Sequence, residues 1–216
     1  KIFNLKKIKN IFNINLNIFI RTILLTFSFL WFTYLGTKIG EDYVAANAIL
    51  INLVFLSAFI LDAYAFSTEG IVGYSLGKKD LNLFKKIIKN SFILSSLSGI
   101  VISIIYLFTY DHVINLMSDI KEIRELSTSY VVWLIILPII SSFCYQFDGI
   151  FIGTSQTKEL RNAMIFSVLI YLIISILLTK FLFNTGIWIS LCIFMILRAI
   201  SLFYYLDKIY LRFRSN

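Results

Sequence analysis

Six long apolar stretches, separated by short polar connections, dominate the pattern of this sequence. A helix needs about 20 predominantly apolar residues to cross the hydrocarbon core of a bilayer, and each stretch reaches that length. They lie at about 17–37, 43–66, 87–109, 127–152, 161–182 and 186–206. The pattern therefore predicts an all-α, polytopic membrane protein whose residues 17–206 form one unit of six transmembrane helices.

Basic segments lie between and beyond these stretches. Residues 1–16 mix lysines with apolar residues and asparagines, which predicts an interfacial segment, and residues 207–216 form a basic cytoplasmic tail. Residues 81–90 would form an interfacial helix with lysines toward anionic headgroups, and a specific lipid site is the functional alternative. The apolar face of that helix would consist of Leu83, Phe84, Ile87 and Ile88, and its lysines are Lys85, Lys86 and Lys89.

Composition excludes most other classes of protein. Hydrophobic residues make up 59% of the chain and charged residues 15%, which is too apolar for the single core of a soluble domain. The net charge of +8 is spread over short clusters and builds no continuous basic face, so a nucleic-acid partner is not expected. Cys144 and Cys192 lie in apolar stretches without metal-ligand spacing, and His112 lies in a polar connection.

The distribution of basic residues predicts the orientation in the membrane. If the N-terminus is cytoplasmic, fourteen of the 20 Lys and Arg residues fall in the cytoplasmic segments. Two more lie within the stretches, at Arg21 and Arg198, and the outer connections hold Lys38, Lys121, Arg124 and Lys180. Because cytoplasmic loops of membrane proteins carry an excess of Lys and Arg, both termini are expected in the cytoplasm. The membrane is expected to be the plasma membrane or the inner membrane of the cell.

Of the charged residues in or directly beside the apolar stretches, four are of interest, namely Asp62, Glu69, Asp148 and Arg198. A charge near the centre of a membrane helix costs about 2.5–3.5 kcal/mol on insertion scales, so each is a candidate functional residue. Counted from the nearest basic connection at 1.5 Å per residue, Glu69, Asp148 and Arg198 lie about 13–15 Å deep, and Asp62 lies about 24 Å from Lys78. The matched depths predict one polar cluster on three helices.

Two interpretations of this cluster stay open. In the first, Arg198 neutralises Asp148 or Glu69 and only ties helices together. In the second, an acid without a full partner becomes a proton carrier or binds Na⁺ with neighbouring amides and hydroxyls. Three acids face one clear base, since Arg21 is placed near the entrance of its helix, where it can reach the interface. The imbalance favours cation coupling through Asp148, Asp62 or Glu69.

Further residues are expected to support the cluster. Asn47, Asn52 and Gln146 could line one water-filled cavity, or bond across helices. Pro138 interrupts the fourth stretch and could act as a hinge or as a static kink. Small residues recur in two groups, for which close helix contact is expected. The glycines of these groups are Gly70, Gly73, Gly77, Gly149 and Gly153.

Motifs of enzymes are not found in the sequence. There is no Ser/His/Asp grouping, no HExxH, no Gly-rich phosphate loop and no cluster of metal ligands, so neither catalysis nor a cofactor is expected.

Two sequence blocks resemble a known family. The first block, Ala45–Asp80, reads AANAILINLVFLSAFILDAYAFSTEGIVGYSLGKKD, and the second, Tyr145–Met164, reads YQFDGIFIGTSQTKELRNAM. Both are similar to the C-terminal half of the multidrug and toxic compound extrusion (MATE) transporters, especially the DinF-like branch. The resemblance extends from about Asn17 to Tyr205.

This resemblance implies twelve helices in two six-helix lobes that export amphipathic, often cationic, compounds in exchange for H⁺ or Na⁺. Asp148 matches the family's acid on the fourth helix of this lobe, and Asp62 and Glu69 match acidic positions of the DinF-like branch. The chain would be a fragment, a truncated gene product or a half-unit, and its partner would be an N-terminal lobe or a second half-unit. A lipid-linked sugar flippase of the same superfamily and a non-transporting membrane scaffold are the alternatives.

Overall fold

The computed structural model describes residues 5–214, and over this range the chain forms six helices connected by short turns. Their bounds are α1 Leu5–Ile39, α2 Glu41–Gly77, α3 Leu81–Met117, α4 Lys121–Ser129, α5 Val131–Gly153 and α6 Thr157–Arg214. All except α4 are long and apolar enough to cross a membrane. The predicted all-α class is therefore confirmed.

The last helix, α6, contains two of the predicted stretches. Phe183 has a non-helical backbone (φ 50°, ψ −132°) that divides α6 into a first arm, residues 157–182, and a second arm, residues 184–214. The arms run antiparallel, because the Tyr171 and Phe194 rings meet at 5.1 Å. At the bend, a Cβ on Gly186 would clash with the backbone of Leu178, so this close approach requires glycine. With its two arms, the fold has the six membrane-crossing segments that the sequence predicts.

The helices extend beyond the apolar stretches. Residues 5–16 belong to α1 and residues 81–90 form the start of α3, so neither is a separate interfacial element. The Asp80 carboxylate caps α3 by accepting a hydrogen bond from the Leu83 amide (2.9 Å). Most of the predicted tail continues α6. Residues 1–4 and 215–216, the ends of the two predicted terminal segments, lie outside the described residues.

The fourth predicted stretch, 127–152, begins too early. The short amphipathic helix α4 ends at Ser129 and α5 begins at Val131, with a non-helical Tyr130 between them (φ −108°, ψ 5°). Hydropathy alone merges them because the last turn of α4 contains no charged residue and continues directly into the apolar start of α5.

Helix α5 is the most buried of the membrane-crossing helices and forms the centre of the fold. It packs against α2, α3 and the second arm of α6, and α1 packs against α6 and α2. The α2–α5 contact is backbone to backbone: a Cβ on Gly149 would clash with the Ala65 carbonyl, and one on Gly153 with the Glu69 carbonyl. The two helices are parallel, and this register places Asp148 level with the part of α2 between Asp62 and Glu69.

Candidate functional site

The charged residues of three helices meet at Asp148, which is buried on α5. Arg198, from the second arm of α6, donates a hydrogen bond from Nη2 to Oδ2 of Asp148 at 2.7 Å. Arg21, from α1, donates from its own Nη2 to the same oxygen. We call Asp62, Asp148, Arg21 and Arg198 the charge cluster.

Arg198 is held in place by its surroundings as well as by its charge. The residue is 1% exposed, its Nη1 donates to the Met195 sulfur at 3.3 Å, and its guanidinium lies 5.5 Å from the centre of the Phe194 ring. A sulfur contact, an aromatic face and a charge-assisted hydrogen bond together offset part of the cost of burying the charge. Arg21 is less enclosed, with 15% of its side chain exposed.

Asp62 is the half-buried acid of the charge cluster. It lies on α2 close enough to Asp148, Arg21 and Arg198 to interact electrostatically with all three. Among residues 5–214 no basic group lies within 4 Å of its carboxylate. The cluster therefore contains an acid that is held by two arginines and a second acid that is not directly paired.

Glu69 lies apart from the charge cluster. The register of α2 against α5 places Glu69 beside Gly153, about five residues, or roughly 7 Å, closer to the lysine-rich end than Asp148. It is half-buried, and no ion pair joins it to the cluster in the described part of the chain. Counting from the basic connections made the depths of Glu69 and Asp148 equal because it ignored the different lengths of helix beyond each residue.

Gln146 lies two residues before Asp148, about half a helical turn, and joins α5 to α2. Its side-chain oxygen accepts a hydrogen bond from the Thr68 hydroxyl at 2.8 Å, and the residue is fully buried. Its Nε2 has no hydrogen-bond partner in the described structure, and neither has Oδ1 of Asp148. Unsatisfied polar atoms therefore accompany the charge cluster on the same helix.

Asn47 belongs to a second polar cluster and bonds across helices, which is one of the two alternatives that the sequence leaves open. Its amide exchanges two hydrogen bonds with Asn184 (2.6 and 3.0 Å) and accepts another from the Trp188 indole (2.9 Å). It lies fifteen residues before Asp62, about 22 Å along α2. Asn52 is exposed on α2, and its place in a cavity stays a prediction.

Pro138 is buried within α5, ten residues before the charge cluster. Its carbonyl lies 2.8 Å from the position that a Cβ on Gly99 would occupy, so α3 and α5 approach closely here. A role as hinge stays a prediction.

Arg21 is the functional candidate that sequence reasoning placed elsewhere. The apolar stretch that the sequence predicts begins at about residue 17, which puts Arg21 near the interface, whereas α1 begins at Leu5. The signal lay in the apolar residues upstream, which are Ile11, Phe12, Ile14 and Leu16. With Arg21 included, the cluster has two acids and two bases, so the predicted excess of acids does not hold there.

The described residues contain no group of three or more His, Cys, Asp or Glu side chains that could hold a metal ion. Any cation at the site would be bound by one or two carboxylates with nearby amide oxygens.

Comparisons with known proteins show which family the chain resembles along most of its length. The MatE family model matches residues 18–178. DNA damage-inducible protein F of Escherichia coli (strain K12) is 31% identical over 189 residues, which are 88% of this chain and 41% of that protein. The chain therefore spans less than half the length of this curated relative.

Solved structures share the fold at lower identity. A MATE crystallised in complex with MaL6 superposes with a TM-score of 0.87 at 14% identity, over 99% of this chain and 49% of that chain. A MOP superfamily transporter from Pyrococcus furiosus Vc1, described as having a binding pocket of reverse polarity, has a TM-score of 0.81 at 20% identity. It covers 92% of this chain and 44% of its own. These matches confirm the predicted resemblance, and with the apolar helices they establish a multi-pass membrane protein.

Proposed function

This chain belongs to the MatE family, and we propose that it forms the C-terminal lobe of a cation-coupled antiporter that exports small amphipathic or cationic compounds. Its length, about half that of the solved relatives, supports a function that needs a second lobe. The observation that carries the proposal is the charge cluster, because four charged residues in apolar helices are too costly to be retained without a role or a compensating structure.

Asp62 takes up the coupling cation, H⁺ or Na⁺. It is half-buried and not directly ion-paired, and it interacts with the other three charges of the cluster. Neutralising Asp62 leaves two arginines facing the single charge of Asp148, so that their mutual repulsion is less compensated. Occupation of Asp62 therefore favours an arrangement in which one arginine withdraws from Asp148.

Arg21 is the arginine that withdraws. Both arginines bind Oδ2 of Asp148, but Arg198 is almost completely buried and Arg21 reaches the surface of the lobe. A cationic cargo competes with Arg21 for the two acids, and the coupling cation competes with the cargo. Export follows because the coupling cation and the cargo favour opposite conformations of the same part of the transporter.

A second candidate function, a flippase for lipid-linked sugars, is favoured by the same arginines. Two guanidinium groups at the site suit phosphate oxygens. A fold relative is itself described as having a pocket of reverse polarity and a different function. In this function Arg21 binds the phosphate of the cargo and Asp62 holds Arg21 in position.

Dye efflux from cells lacking their own pumps tests the first proposal. The chain is produced alone and joined to the N-terminal lobe of a related transporter, each with Asp62→Asn, Asp148→Asn and, as a matched control, the exposed Asp119→Asn. We expect efflux only from the joined form, a loss of at least tenfold with Asp62→Asn, and no change with Asp119→Asn. The membrane content of each variant is measured to separate loss of transport from loss of protein.

The other outcomes are equally informative. Efflux by the chain alone means that a second copy supplies the missing lobe. Full efflux with Asp62→Asn contradicts cation coupling at this residue. If folded protein moves no dye, transfer of a fluorescent lipid-linked sugar between leaflets, measured with Arg21→Gln beside the native chain, distinguishes the flippase from a scaffold that transports nothing.

A further inference from the structure

An aromatic groove on the surface of the described chain shares no residue with the charge cluster. Helix α3 and the second arm of α6 each pack against α5, and the groove between them has α5 as its floor. Its volume is about 350 Å³. The residues that line it are Phe92, Phe143, Phe147, Ala199, Ile200 and Phe203.

The groove is entirely apolar and open at the surface of the described chain. Phe92 lies 4.9 Å from Phe147 and 6.1 Å from Phe143, measured between ring centres, so three rings from two helices form one surface. On the opposite wall, Ile200 and Phe203 are 59% and 66% exposed. Since α3 and the second arm of α6 are long and apolar enough to cross a membrane, an open apolar groove between them suits acyl chains.

A polar pocket follows the aromatic groove toward the lysine-rich end of the same two helices. Its volume is about 420 Å³, and Leu81, Lys85, Asp207, Tyr210 and Leu211 line it. Lys85, Lys89 and Phe92 are spaced i, i+4 and i+7 and so share one face of α3, with about 10 Å between the first and the last. Along this face of α3, the apolar surface of the groove is therefore followed by the ammonium groups of two lysines.

The charges at the polar pocket favour an anion. Lys85 and Lys89 are exposed, and Asp207 is the only carboxylate among the residues that line the described pocket. The neighbouring Lys208 is directed to Glu159, at 3.3 Å, and does not neutralise Asp207 within hydrogen-bond distance. The tyrosine hydroxyl of Tyr210 adds a hydrogen-bond donor.

We propose that this groove binds one anionic phospholipid from the leaflet at the lysine-rich end of the helices. Its acyl chain lies in the aromatic groove, and Lys85 and Lys89 bind its phosphate. A purely apolar partner, such as a helix of another subunit, would not use the lysines that continue the groove. This site is independent of the charge cluster, so it does not depend on the proposed transport function.

Tryptophan fluorescence with brominated lipids tests the proposal. The complete chain carrying Phe203→Trp is reconstituted in vesicles containing brominated phosphatidylglycerol or brominated phosphatidylcholine, against a background measured on the native chain. Phe166→Trp is the control, because Phe166 is also about half exposed but lies on the first arm of α6, outside the groove. Circular dichroism verifies that each variant keeps its helices.

We expect phosphatidylglycerol to quench Phe203→Trp more strongly than phosphatidylcholine does, with no such preference at Phe166→Trp. Adding Lys85→Gln and Lys89→Gln should reduce the preference about tenfold or more, since each lysine near an anionic surface contributes about a factor of five in affinity. The matched double variant Lys78→Gln/Lys158→Gln removes two exposed lysines at the same end and should leave the preference intact.

Three outcomes would overturn the proposal. Equal quenching by both lipids at Phe203→Trp would mean that the groove holds bulk lipid. No quenching there would mean that a protein segment covers it. A preference reduced equally by both double variants would assign the effect to the overall charge of this face.

Discussion

At the scale of single residues, the charge cluster explains how an apolar protein keeps four charges. Asp148 and Arg198 are almost completely buried, and Arg21 is mostly enclosed, so the three groups depend on each other. Removing one member of a buried pair leaves its partner unpaired, which costs about 3–5 kcal/mol. The cost must differ between members, because Asp148 is shared by two arginines.

Asp148→Asn should therefore destabilise the chain more than Arg198→Met does. The first substitution leaves two arginine charges close together without a carboxylate between them, and we expect a loss of about 3–5 kcal/mol. The second leaves Asp148 paired with Arg21, so about 1–3 kcal/mol is expected. Unfolding by sodium dodecyl sulfate in mixed micelles measures both, and equal losses would mean that Arg21 does not pair with Asp148.

Residues of the cluster differed in how far the sequence could reveal them. Asp62, Asp148 and Arg198 were found because a charge amid apolar residues is rare and costly. Arg21 was misplaced because hydropathy does not define where a helix begins when the interface also contains apolar residues. For Asn47 the sequence left two alternatives open, because a buried amide can line a cavity or bond across helices, and its partner Asn184 lies far away in the sequence, in the connection between the fifth and sixth predicted stretches.

At the scale of helices, the α2–α5 contact is controlled by glycine. Close contact was expected at all five small positions. It is confirmed for Gly73, Gly149 and Gly153, whose added Cβ would meet backbone atoms, but it is wrong for Gly70 and Gly77, which have open space around them. Spacing alone could not separate them, because Gly70 lies one residue beyond the contact position Glu69, on another face of α2, and Gly77 lies one turn past the last contact at Gly73.

Gly149→Ala should push α2 away from α5, since the clash is with the backbone of Ala65 and no flexible side chain can move aside. We expect a destabilisation of about 1–3 kcal/mol, the usual cost of overpacking. Gly70→Ala is the matched control on α2. It should be neutral, or more stable by up to about 1 kcal/mol, because alanine favours helix. Unfolding in mixed micelles compares the two, and a neutral Gly149→Ala would contradict the close contact.

At the scale of the whole molecule, the number of membrane-crossing segments could be predicted but their arrangement could not. In α2 the buried Leu53 and Leu61 and the exposed Leu56 and Phe59 are the same kind of residue. Lipid tails are as apolar as a protein core, so a lipid-facing side and a packed side carry no difference in hydrophobicity. The central position of α5 depends on how the side chains of neighbouring helices fit together, and the periodicity of apolar residues does not predict that fit.

Orientation is the property of the whole molecule that charge alone predicts, and it decides which leaflet supplies the lipid and from which side a coupling cation enters. We expect the lysine-rich end on the cytoplasmic side. In a background with Cys144→Ala and Cys192→Ala, which removes two buried thiols, a membrane-impermeant thiol reagent should label Lys121→Cys in intact cells. Lys78→Cys should be labelled only after permeabilisation. The reverse pattern would mean that the fourteen basic residues face outward, in which case the anionic phospholipid would come from the outer leaflet.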